Sequence, residues 1–200
     1  MTMQDGQTLL NLGIVLHPDH SDEQQVLMAV LASRIGYSTV IVPEQLSQRT
    51  DVAELLNRLR AAVTGRTQML VDDPQDDLVV RSANLEQIRA RRSELDHALD
   101  PRPLCVSVPV SIGRTMNEAV ARASRDPRFV GAAHPEVSGI FGTFEQAQTQ
   151  VIALADAGAQ ELWVTLADDY DISDLLAQVK ALVVGPTVVL HQRLKSGEDS

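Results

Sequence analysis

Residues 12–45 read LGIVLHPDHSDEQQVLMAVLASRIGYSTVIVPEQ, and the way this stretch divides decides the fold. An apolar run ends at Leu16, and HPDHSDEQ breaks it with turn and cap residues. Ser21 with Gln24 three places on predicts a capping box, in which the Ser oxygen takes a backbone N–H of the first helical turn. Val26, Leu27, Val30, Leu31 and Ile35 recur at helical spacing and predict one apolar stripe. Gly36 stands where a left-handed C-cap costs least. STVIVP follows as a β-branched strand stopped by Pro43. Strand, helix and strand of these lengths make a βαβ unit, so the sheet is expected to be parallel with a right-handed crossover. Ligands of such sheets sit beyond the carboxyl ends of the strands, which directs attention to His17–Ser21 and Pro43–Gln48.

The same alternation continues along the chain. DVAELLNRLRAAV predicts a helix with Val52, Leu55, Leu56, Leu59 and Val63 on one face, Asp51 as its cap and Gly65 as its stop. RTQMLVDD is a third strand, LVV a short one, and Asn84–Leu99 a helix capped by Asn84. PLCVSVPV is a strong strand, followed by a helix from Arg114 to Arg125 with Thr115 and Glu118 as its box. RFVGAAHPEVSGIF reads either as a short strand or as a loop held by Phe129, Ile140 and Phe141. GTFEQAQTQVIALADAGA is an amphipathic helix capped by Thr143 and Gln146, with Val151, Leu154 and Ala155 inward. ELWVTL, a helix burying Ile172, Leu175, Leu176 and Val179, and a last strand PTVVLH complete the pattern. Strands alternating with helices predict an α/β fold with a mainly parallel sheet. A doubly wound sheet and a compact or incomplete TIM-type (β/α)8 barrel both fit the count. One domain is expected over residues 1–194, with 195–200 a disordered polar tail.

Composition narrows the classes. The chain has 200 residues, 44% hydrophobic, enough for a full core. No apolar window approaches the length of a membrane span, and MTMQDGQ lacks the pattern of a signal peptide. The single cysteine allows no internal disulfide, so a cytoplasmic location is expected. A formal charge of −10 argues against nucleic acid as a partner, because that binding rests on phosphate neutralisation by Lys and Arg. Arg89, Arg91 and Arg92 read as the solvated face of a helix. There is no GxGxxG after a strand, no P-loop and no GxSxG.

Three segments resemble the luciferase-like flavin-dependent monooxygenases, a family that includes bacterial luciferase and deazaflavin-dependent oxidoreductases. GIVLHPDHSDEQQVLMAVLASRIGYSTVIVPEQ resembles the family's opening strand, Gly-ended helix and "vwvp" strand. VAELLNRLRAAVTGRTQMLVD looks like the helix and strand that come next. RPLCVSVPVSIGRTMNEAVARASRDPRF, leading to GTFEQAQTQVIALADAGAQELWV, is similar to the C-terminal part. The resemblance implies a (β/α)8 barrel that holds FMN or a deazaflavin at its strand ends. It further implies oxidoreductase or monooxygenase chemistry on an aldehyde, alcohol or similar small molecule, in a homodimer or in a heterodimer with a full-length relative. The chain departs from the family in two ways. Little more than PQDDLVVRSANLEQ joins the third strand to the C-terminal part, and Glu44-Gln45 stand where the family often has Asp-His. Gln cannot shuttle a proton near neutral pH as imidazole can. A barrel of the same fold, catalytically inactive and serving as a ligand-binding or partner subunit, is therefore the alternative expectation.

The candidate residues gather at the predicted strand ends. Glu44 and His191 are the expected acid/base pair, and His17, Gln45 and Asp72 the expected substrate or cofactor contacts. His17 and His20 straddle Asp19, a pattern that fits a metal pair, a ligand contact or an ordinary loop; a metal needs a third ligand from elsewhere, and no metal site is assigned. Asp72-Asp73 open DDPQDD, which also reads as a solvated turn. Gly142-Thr143 offer N–H groups to a phosphate, unless the Thr143/Gln146 cap uses them. Cys105, in mid-strand, reads as a small buried hydrophobe. Trp163 reads as core or interface.

Overall fold

The structure, a computed structural model, describes residues 9–130, 134–166 and 172–184. The first half runs β1 (Asn11–Val15), α1 (Asp22–Ile35), β2 (Thr39–Val42), the single turn α2 (Glu44–Ser47), α3 (Val52–Ala62) and β3 (Gln68–Val71). The short β4 (Val79–Val80) comes next with no helix before it, then α4 (Leu85–His97), β5 (Cys105–Gly113) and α5 (Met116–Ala123). The turn α6 (Pro135–Ser138), β6 (Ile140–Thr143), α7 (Phe144–Asp156), β7 (Glu161–Leu166) and α8 (Ile172–Val183) complete it.

All strand pairs are parallel, in the order β3-β2-β1-β7-β5-β4. Two short strands share the far edge of β5. Cys105 and Val106 pair with β4, whereas Val110 to Gly113 pair with β6. Ser107 to Pro109 lie between these two ladders, facing neither.

Alternate residues of each strand separate two cores. Leu12, Ile14 and Leu16, Leu162 and Val164, and Val106 and Val108 pack with residues of α1, α3, α4, α7 and α8 in one large cluster. On the opposite face Val15, Ile41, Cys105 and Trp163 form a small cluster to which no helix contributes. A doubly wound sheet covers both faces with helices; a barrel wall covers one and fills the other with its own strand side chains. The fold is thus a TIM-type α/β barrel wall. Among the described residues no ladder joins β3 to β4, so the wall is incomplete there. The salt bridge from Arg81 Nη2 to Asp72 Oδ1, at 3.0 Å, ties the two strand ends together instead. None of these helices is long and apolar enough to cross a membrane. The PTVVLH strand falls outside the described residues.

Local signals account for most element ends. Ser21 and Gln24 form the capping box, and Gly36 closes α1 at φ 92°. Asn84 Oδ1 accepts from the backbone N–H groups of Glu86 and Gln87. Two expectations need correction. The buried stripe of α1 is Gln25, Met28, Ala29 and Ala32, while Leu27 is 52% exposed. Small residues let the helix axis approach the sheet, so the two alanines face inward and Val26, Leu31 and Ile35 flank them. Asp51 does not cap α3 with its side chain; its carboxylate takes the guanidinium of Arg49 in a fork at 2.9 and 2.7 Å. The RFV segment forms no strand, and the ambiguous stretch yields α6 and β6 instead.

Arg91 and Arg92 are more than solvated charge. Arg91 bridges Asp77 and Glu94, and Arg92 bridges Asp96 and the side chain of Gln160 ahead of β7.

Three substitutions test this packing. Leu27→Glu is expected to change stability by less than about 0.5 kcal/mol, whereas Met28→Ala should cost about 2–4 kcal/mol in urea unfolding. At Gly13 a Cβ would stand 2.7 Å from Ile41 Cδ1 and 2.8 Å from Trp163 Cδ1. Gly13→Ala is therefore expected to cost about 1–3 kcal/mol and to shift the emission of Trp163, the chain's single tryptophan.

Candidate functional site

A cavity of about 760 Å³ opens at the carboxyl ends of the strands, within the range usual for small-molecule sites. β1 delivers Val15 and then the loop His17–Asp19; β2 delivers Pro43 and Gln45. Asp72 follows β3, Arg81 and Ser82 follow β4, and Thr165 comes from β7. The Ser107–Pro109 segment of β5, paired with β7 along one edge only, forms part of the wall together with Pro127, Arg128, Val137 and Ser138. Beneath Val15 lies the small inner cluster with Trp163, whose indole N–H donates to Glu161 Oε2 at 3.1 Å. Gly13 makes room for that indole, since any side chain there would collide with it.

Three groups at the mouth carry the electrostatics. The half-buried His17 accepts the Asp19 backbone N–H at Nδ1, 3.3 Å away, so the neutral ring carries its proton on Nε2. Its ring lies 5.1 Å from that of the buried His20. Arg81 donates through Nη2 to Asp72 Oδ1 and to the Asp73 carbonyl. Arg128 grips the buried Asp126 through Nε and Nη2, at 2.8 and 2.5 Å, and its own backbone N–H adds a third bond to that carboxylate. Burial pushes the Asp126 carboxyl up, but these bonds from Arg128 outweigh it and hold the group below the ordinary carboxylate range, with His17 adding in the same direction.

Of the residues expected from sequence, His17, Gln45 and Asp72 come together in this cavity. Glu44 does not line it; its Oε1 accepts from Gln48 Nε2 at 2.7 Å along the α2 turn. Gly142 and Thr143 are also elsewhere, and there the Thr143 N–H donates to Gln146 Oε1 at 2.9 Å, so the helix start is occupied by its own cap. Asp73 serves the turn, accepting from the Gln75 N–H. His191 lies outside the described residues. Among the described residues no group of three His, Cys, Asp or Glu side chains is placed to hold a metal. Cys105 is 3% exposed on the inner face, and burial first, then Glu161, pushes its thiol far up. Sequence reasoning missed Arg81, Arg128, Ser107 and Thr165. Ser107 and Thr165 had a readable signal, a lone polar residue at every second place in an apolar strand. Arg81 and Arg128 had none beyond their position after a strand and in a turn.

The lowered Asp126 carboxyl stabilises the fold at pH values above the unfolded carboxylate's, near 4, and this contribution is lost as pH falls through the folded group's value. Because Arg128 is 37% exposed, Asp126→Asn is expected to cost about 2 kcal/mol at pH 7, less than a fully buried pair would. The difference between variant and wild type should shrink steadily in acid unfolding series between pH 5 and pH 2, about the window in which paired carboxylates titrate.

No protein-family model matches the chain, and no curated protein matches it. Solved structures do. The coenzyme F420-dependent tetrahydromethanopterin reductase of Methanopyrus kandleri superposes with a TM-score of 0.59 at 10% identity, covering 87% of this chain and 98% of that one. The apo form of MsnO8 superposes with a TM-score of 0.55 at 16% identity, covering 88% and 99%. At these identities what the chain shares with both is the fold, a mainly parallel α/β barrel wall.

Proposed function

We propose that the cavity at the strand ends binds FMN or a deazaflavin, and that the protein is a flavin-dependent oxidoreductase or monooxygenase acting on a small organic substrate. The observation that carries this reading is the cavity itself, at the carboxyl ends of a barrel wall shared with an F420-dependent reductase. Its lining suits a flat, partly polar ring system. Pro43, Pro109 and Val15 offer apolar surface, and Gln45, Ser107 and Thr165 offer hydrogen-bonding groups among them. When bound, the cofactor supplies the hydride or electron transfer. The chain's own residues exclude water, orient the ring and manage protons. For the last task His17 replaces Glu44 as the candidate: it is an imidazole, half-buried, in the wall of the cavity. A cytoplasmic location accords with this chemistry and with the lone thiol.

A second reading keeps the fold without turnover, as a ligand-binding or partner subunit. It is favoured by β3, the edge strand among the described residues, where Leu70 is 39% and Val71 53% exposed. Such an edge is a ready surface for a second copy or for a longer relative.

Titration with FMN and with F420, followed by flavin fluorescence and melting temperature, separates the two. Micromolar binding that raises the melting temperature is expected, as mass action requires of a ligand selective for the folded state. His17→Gln should leave that affinity within about threefold and lower turnover with reduced cofactor by about 10²-fold or more. No binding of either cofactor up to about a millimolar would leave only the non-catalytic reading.

A further inference from the structure

The cavity is not uniform around its rim. Between the β4 and β6 ladders the edge of β5 is unpaired over Ser107–Pro109, which leaves a notch in the barrel wall. Gly139 packs against the end of this segment, its α-carbon so near that a Cβ would meet the Pro109 carbonyl oxygen. Arg81 follows β4 and Arg128 lies in the turn ahead of α6, and both line the cavity together with Ser107–Pro109. Each guanidinium is held along one side by a carboxylate, Arg81 by Asp72 and Arg128 by Asp126. Among the described residues, Arg81 has no protein acceptor for Nε or Nη1, and Arg128 has none for Nη1. Both side chains keep about a third of their surface in contact with solvent, 37% in each case. The carboxylates fix the two forks in position before any ligand arrives, so little side-chain freedom remains to be lost on binding. Ser138, also on this rim, adds a hydroxyl. Asp19, the remaining acid of the rim, belongs to the β1 loop and is 88% exposed.

We propose that Arg81 and Arg128 form an oxyanion subsite at the notch, which receives the carboxylate or phosphate monoester of a small ligand. Planar guanidinium forks with free N–H groups match the oxygens of either acid. The inference rests on the cavity being a ligand site, as the flavin reading does, but not on the ligand being a flavin.

The test uses the full chain and two independent readouts. The first is arginine modification by phenylglyoxal, mapped by mass spectrometry, with and without phosphate or succinate. Arg81 and Arg128 are expected to be protected by these anions, and the exposed Arg60 and Arg66 to be unaffected. The second compares binding of FMN and riboflavin, which share the ring system and differ by the phosphate. If the acid belongs to the cofactor, FMN binds at least about tenfold tighter, and Arg81→Lys with Arg128→Lys narrows that difference, while riboflavin affinity within about threefold of wild type shows that the cavity is still folded. If it belongs to a substrate, phosphate or succinate protects both arginines whether or not flavins bind. Protection with no flavin bound keeps the subsite and removes the flavin reading. Equal affinity for FMN and riboflavin, with no protection by either anion, overturns the subsite and leaves the flavin reading standing. Loss of both overturns both.

Discussion

The ladder between β1 and β7 is the constraint on which the rest of the molecule depends. It pairs Asn11 with Glu161 and Ile14 with Val164, residues separated by most of the chain, and so joins the opening βαβ unit to the closing one. Parallel pairing across such a separation carries a large loop-closure cost, repaid only when both faces of the joined strands are filled. Leu12 and Leu162 fill one face against the helices, and Trp163, seated over Gly13, fills the other. Once β1 and β7 are side by side, β2 and β3 extend the wall in one direction and β5 in the other. All their carboxyl ends then point into one mouth.

That geometry explains why the residues lining the cavity come from distant parts of the chain. His17, Asp72, Arg81, Arg128 and Thr165 share nothing in sequence except following or ending a strand, or leading into the next one. The short β3–β4 connection is the structural counterpart of the brief middle of the chain. With no helix between them, the two strands do not pair, and the Arg81–Asp72 ion pair spans the place where a ladder would run. The same charge pair that holds the wall together thus sets the chemistry of the rim.

How far the sequence could be read follows from the range of each interaction. Caps and stops are local, and Ser21/Gln24, Gly36 and Asn84 were legible because a few neighbouring residues decide them. The phase of the α1 stripe was not, because Ala29 and Ala32 face inward for their small size against β1 and β2, which hydrophobicity alone does not register. Asp51 looked like a cap, but an arginine two residues away competes for the same oxygens. At the site, His17, Gln45 and Asp72 were legible because the ends of parallel strands point to one place. Glu44 lies apart from the cavity lining: the backbone winds directly into a helical turn after Pro43, which turns Gln45 into the cavity and ties Glu44 to Gln48. Arg128 was invisible because its meaning depends on a buried Asp126 and on a notch created by two separate strands.

The inner cluster has one further consequence. Trp163 and Cys105 sit in the same small group of side chains, and each is the sole residue of its type in the chain. The thiol is buried and held protonated, so it is silent to ordinary labelling reagents. A cysteine engineered at the rim would thus be the only reactive one, with the chain's single tryptophan at a fixed depth below it. Energy transfer between that label and the indole would report the opening and filling of the mouth without removing any native residue from the interior.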